Sequence, residues 1–95
     1  MGEWQVMPAT ARDPGYGVRP WDGRSPDDLA RVGNDYQDAM YREFGGDPAA
    51  MWAAYNAGPG RTKAAQEKYG NDWLRYMPVE TRNYVTRNLR ALGTR

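Results

Sequence analysis

Cysteine and histidine are both missing from these 95 residues. Without cysteine there is no disulfide framework, no thiol nucleophile and no Cys-based zinc site. Without histidine there is no Ser-His triad and no imidazole base. Acid–base chemistry is left to carboxylates, Tyr or Lys. A large charge of one sign is also lacking: 13 Lys and Arg stand against 12 Asp and Glu, a formal net charge of +1. That near-balance argues against the electrostatic footprint of a nucleic-acid binder. No apolar run approaches the roughly 20 residues that span a bilayer. The N-terminus lacks the basic-then-apolar layout of a secretory signal, so no signal peptide or export route of its own is expected. No metal-ligand cluster and no phosphate-binding glycine loop is visible, so neither a metal nor a cofactor is implied.

Residues 1–95 read as one small domain, with no internal repeat. No stretch alternates with period two, and the fold class expected is all-α. Pro8 can open a short turn through Thr10 and Ala11. The stretch from Arg12 to Arg24 is rich in turn formers and reads as a loop carrying Tyr16 and Trp21. Ser25-Pro26-Asp27-Asp28 is a helix start: a capping hydroxyl, a proline suited to the first helical position, and two acids at the positive end of the dipole. Leu29, Val32, Gly33, Tyr36, Ala39, Met40 and Phe44 then follow at spacings of three and four, with Gly45 or Gly46 as a left-handed cap.

Asp47-Pro48 repeats that start. The Ala-rich segment from Ala49 to Ala57 is apolar nearly all round, which predicts a central buried helix stopped by Gly58-Pro59-Gly60. A more polar helix is expected over Arg61 to Tyr69, then a short turn burying Trp73 and Leu74. A last helix is expected over about Val79 to Leu92, with Val85, Leu89 and Leu92 as its core stripe.

Three segments exceed what helix packing demands: Gly2 to Ala11, Ala54 to Gly60, and Pro78 to Val85. Asn56 ends an otherwise apolar helix. A buried amide there must find partners or cost about 1–3 kcal/mol, so it either caps the helix or serves a site. Glu80 in a first turn is by itself an ordinary dipole partner.

Taken in order, the three segments resemble the lytic transglycosylases with the soluble-transglycosylase (SLT) domain, a lysozyme-like helical fold shared with goose-type lysozyme. Gly2, Gln5, Met7, Pro8, Thr10 and Ala11 match the first motif of that family. Ala54-Tyr55-Asn56-Ala57-Gly58 match the second, and Glu80, Thr81, Arg82, Tyr84 and Val85 the third. The resemblance implies a muramidase-like enzyme cutting the β-1,4 bond between N-acetylmuramic acid and N-acetylglucosamine in peptidoglycan. One Glu protonates the glycosidic oxygen and then takes the proton of the C6 hydroxyl, which closes on C1 to give a 1,6-anhydro product. Water is not the nucleophile, so the second carboxylate of most glycosidases is not needed. The acid must be neutral near pH 7, which calls for an apolar setting.

By the same resemblance, Gln5 contacts the sugar near the scissile bond and Met7 lines the cleft wall. Tyr55 and Asn56 lie on its floor, and Glu80 and Tyr84 across it. Trp4, Tyr16 and Trp21 are further candidates for stacking on sugar faces, whose C–H groups are apolar. The family's acid sits in a Glu-Ser pair on a helix ahead of the first motif, which begins here at Gly2. The expectation is thus an SLT domain incomplete at its N-terminus, with the acid on another polypeptide, on a lost upstream segment, or replaced by Glu3. Without that helix, apolar faces of Trp52, Tyr55 and Val85 are expected to stand open, to be covered by a second chain or by self-association.

The setting expected is a virion or delivery to the bacterial periplasm and cell wall, with the peptidoglycan glycan strand as partner. A non-catalytic virion or tail protein, structural or glycan-binding, is the alternative. Nucleic acid is not expected as a partner. Arg75, Arg82, Arg87, Arg90 and Arg95 near Trp73, Tyr76 and Tyr84 read as a solvated helix face.

Overall fold

A computed structural model describes residues 8–93, and Glu3, Trp4, Gln5 and Met7 lie outside that range. The described residues form five α-helices and one 3₁₀ helix, with no strand among them. They are α1 (Pro8–Arg12), α2 (Pro26–Glu43), α3 (Pro48–Ala57), α4 (Pro59–Tyr69), the 3₁₀ helix Gly70–Tyr76, and α5 (Val79–Gly93). The all-α expectation holds across them.

The starting signals act as their chemistry dictates. The Ser25 hydroxyl accepts from the Asp28 N–H at 3.2 Å and Pro26 opens α2, while Asp47 accepts from the Ala49 N–H at 3.0 Å ahead of Pro48. Helix α2 ends in a pair of bonds, Gly46 N–H to Tyr41 O at 2.8 Å and Gly45 N–H to Arg42 O at 3.2 Å. Both glycines have positive φ, the conformation such a cap requires.

Helix α3 is the hub, as its all-round apolar character predicts. Ala50, Met51, Trp52, Ala53 and Ala54 are buried, and α2, α4 and α5 pack around it. The loop between α1 and α2 is stitched down at several points. Trp21 N–H bonds Ala11 O at 2.8 Å, and the Trp21 indole donates to Ser25 O at 2.8 Å. Arg31 donates to Arg19 O at 2.7 Å and Pro20 O at 3.1 Å, and pairs with Asp28 and Asp35. The Arg31 hydrogen bond holds the Asp28 carboxyl below its usual range.

Four expectations need correction. Pro59 does not belong to the break after α3: Gly58 alone makes the turn and Pro59 is the first residue of α4, where its missing N–H costs nothing. Leu92 is not core, being 52% exposed. Its side chain instead lines an open cavity between α2, α3 and α5, which it shares with Pro48 and Trp52. Asn56 is exposed rather than a buried amide. Finally, Trp52 and Val85 do not present open apolar faces. They are 6% and 0% exposed, because α5 lies along α3 and Tyr84 sets its ring edge-on to Trp52 at 6.1 Å.

Candidate functional site

The site forms where α3 ends and α5 begins. Gly58, at φ 104° and ψ 144°, stops α3 in a backbone region that is nearly glycine-only. Its N–H still closes the last turn onto Ala54 O at 2.9 Å, and its carbonyl accepts from both the N–H and the hydroxyl of Thr62. Just before this junction the Asn56 side chain lies at the surface. There its Oδ1 accepts a 2.8 Å hydrogen bond from Thr81 Oγ1, whose residue is 2% exposed. Two motifs 25 residues apart in sequence are thereby joined side chain to side chain.

Glu80 precedes Thr81 in the first turn of α5, and its side chain is exposed. The structure therefore joins the second motif to the third through Asn56 and Thr81, with Tyr55 preceding Asn56 on α3 and Glu80 preceding Thr81 on α5. Tyr84, one turn beyond Glu80, points inward and is 5% exposed against Trp52. Gln5, Met7 and Glu3 lie outside the described residues.

Tyr55 is half-buried, and its ring lies 6.0 Å from Tyr36, which in turn meets Tyr16 edge-on at 6.3 Å. Burial, with Tyr36 beside it, pushes the Tyr55 hydroxyl up to about 12. It is thus a neutral hydrogen-bonding group at any physiological pH. Tyr16 sits at φ 55° between two glycines of positive φ, an uncommon conformation for an aromatic residue. That backbone holds a 43% exposed ring over Tyr36. Trp21 is half-buried, with the Arg12 guanidinium 5.3 Å from its ring.

Two features escaped the sequence reading. Thr81 matches a motif, but its role as the partner of Asn56 depends on a contact between distant helices. A cavity of about 410 Å³ also opens between α2, α3 and α5, lined by Gln37, Asp38, Tyr41, Met51, Trp52 and Asn88 among others. None of the site residues expected from sequence lines it, and no periodicity signals it. The Gln37 Oε1 is buried with no hydrogen-bond partner among the described residues.

Among the described residues no group of three or more acidic side chains could hold a metal ion, and no helix is long and apolar enough to cross a membrane. No aspartate or glutamate among them is buried. Any carboxylic acid that is to be neutral near pH 7 needs such burial.

Comparison with known proteins identifies the family. Residues 1–75 match the family model described as the transglycosylase SLT domain. The soluble lytic murein transglycosylase of Escherichia coli K12 is 36% identical over 69 residues, covering 65% of this chain and 10% of that protein. The membrane-bound lytic murein transglycosylase D of the same strain is 33% identical over 99 aligned residues, covering 93% of this chain and 21% of that protein. The chain thus spans about a tenth to a fifth of the length of these relatives. No solved structure matches significantly. On three ordered motifs, an all-α architecture that joins two of them, and a family model that fits most of its length, the chain belongs to the transglycosylase SLT domain family.

Proposed function

We propose that this chain is the glycan-holding part of a peptidoglycan lytic transglycosylase, acting at the β-1,4 bond between N-acetylmuramic acid and N-acetylglucosamine. The observation that carries the reading is the Thr81–Asn56 hydrogen bond, which makes one surface of the second and third motifs. On that surface Asn56 and Glu80 offer polar contacts to sugar amides and hydroxyls. Tyr55, kept neutral by burial, faces the reacting sugars as a hydrogen-bond donor. By the family resemblance Gln5 contacts the sugar near the scissile bond and Met7 lines the cleft, and Tyr84 packs beneath the site against Trp52.

The general acid, in this reading, is a Glu outside these 95 residues, carried on a helix that docks against them. The absence of any buried carboxylate among the described residues supports this placement. The acid protonates the glycosidic oxygen as the C1–O bond breaks. Its carboxylate then takes the proton of the muramoyl C6 hydroxyl as that oxygen bonds to C1, which returns the acid to its starting state and releases a 1,6-anhydro end. The same lack of a buried carboxylate favours a second reading, in which the chain binds glycan without turnover. A virion that must breach the wall is the setting we propose for either, and detection of the chain in purified phage particles tests that setting.

Purified sacculi incubated with this chain, alone and joined to an upstream helix bearing Glu-Ser, separate these readings by mass spectrometry of the products. Anhydro-muropeptides are expected from the joined protein only. Muropeptides with a free reducing end would overturn transglycosylase chemistry. Anhydro products from the chain alone would overturn the external acid, and none from either form would favour binding without turnover.

A further inference from the structure

Two tyrosines outside this site are stacked face to face at the surface. Tyr69 ends α4 and Tyr76 ends the 3₁₀ helix, with ring centroids 3.9 Å apart and planes 11° from parallel. They are 37% and 55% exposed. The pair is not a loose surface accident, because α4 packs along the 3₁₀ helix and Gly70, at φ 58°, reverses the chain between them. Each ring therefore orders the other, and a ligand landing on them has little side-chain freedom left to freeze. Lys68 Nζ lies 5.4 Å from the centre of the Tyr69 ring, so Tyr76 offers the freer face. Asn71, Asp72 and Arg75 are exposed in the same short segment and can reach hydroxyl and amide groups around such a ligand.

The position of Tyr76 in the chain gives the pair its meaning. Met77 is 4% exposed with extended backbone, Pro78 follows, and Glu80 comes four residues after Tyr76. Four residues span at most about 14 Å, so the stacked rings stand within a few sugars of the Asn56–Thr81 link. A pyranose ring has an apolar C–H face and a polar rim, which an aromatic platform with polar neighbours matches.

We propose that Tyr76, braced by Tyr69, is a second glycan contact that stacks on one sugar of a β-1,4-linked N-acetylhexosamine strand running on from Glu80. This rests on the glycan reading of the Asn56–Glu80 surface and extends it to a longer strand. The platform makes the chain favour long strands over short ones.

The test uses the full chain titrated with chitohexaose and with chitobiose, followed by tryptophan fluorescence. Tyr76→Ala is expected to weaken chitohexaose binding about tenfold and leave chitobiose unchanged, while Tyr76→Phe stays within about twofold of the unaltered chain. Asn56→Ala is expected to weaken both. Unchanged chitohexaose affinity in Tyr76→Ala, with Asn56→Ala weakened, overturns the platform and leaves the glycan reading standing. So does a Tyr76→Ala variant that only dissolves a dimer in sedimentation, since the pair would then be a self-association contact. An unaltered chain that binds neither sugar overturns both.

Discussion

The hydroxyl of Thr81 donates to the amide oxygen of Asn56 at 2.8 Å, tying the end of α3 to the first turn of α5. The two ends of this bond are unequal: Thr81 is 2% exposed and Asn56 faces solvent. Removing the acceptor strands a buried donor, whereas removing the donor leaves an amide that water can satisfy. Asn56→Ala is therefore expected to cost about 1–3 kcal/mol, and Thr81→Val less. Urea unfolding midpoints of the two variants check the order, and equal losses would contradict it.

Gly58 makes the junction two residues after Asn56. A methyl group at this position would meet nothing within 4 Å, so the cost of Gly58→Ala comes from φ 104° alone. A loss of about 1–3 kcal/mol is expected, together with weaker glycan binding as the α3–α4 turn relaxes. Denaturant unfolding and chitohexaose titration on the same variant measure the two effects.

Tyr55 gives an alkaline signature. Its ionisation moves from 10.0 to about 12 on folding. Between those values the unfolded chain has lost the proton and the folded chain keeps it, so stability falls as pH rises through this window. Below pH 10 both states hold the proton and the slope vanishes. Tyr36 is shifted upward too, and adds to the slope in the same direction. Thermal melts from pH 9 to 12 should show a shallower decline for Tyr55→Phe than for the unaltered chain.

Tyr16 separates stability from binding. Glycine in its place relieves a positive φ worth about 1 kcal/mol and removes an edge contact to Tyr36 of similar size. Tyr16→Gly is expected to melt close to the unaltered chain while binding chitohexaose more weakly. A large fall in melting temperature would show that the ring is chiefly structural.

Much of this architecture is written in local chemistry. Ser25-Pro26 and Asp47-Pro48 start helices here because a side-chain acceptor and a proline without N–H satisfy the first turn using neighbouring residues alone, while Asp13-Pro14, followed by Gly15, starts none. The apolar girth of α3 likewise required neighbours on every side. The exposure of Leu92 is not legible in its stripe, because periodicity gives the face a residue takes and not whether neighbouring helices close over it; here an open cavity between α2, α3 and α5 lies against it. Whether Asn56 is buried or exposed is not legible locally, because nothing in Ala-Tyr-Asn-Ala-Gly tells which way the last turn faces.

The residues alone determined the helices, their order, and the three motifs that place the chain in its family, because caps, glycines and apolar periodicity act within a few residues. Folding in three dimensions decided the rest: Asn56 against Thr81, Tyr55 beside Tyr36, Tyr69 on Tyr76, and Tyr84 turned inward onto Trp52. Each of these depends on how separate helices pack, and a packing geometry belongs to no single segment of the chain.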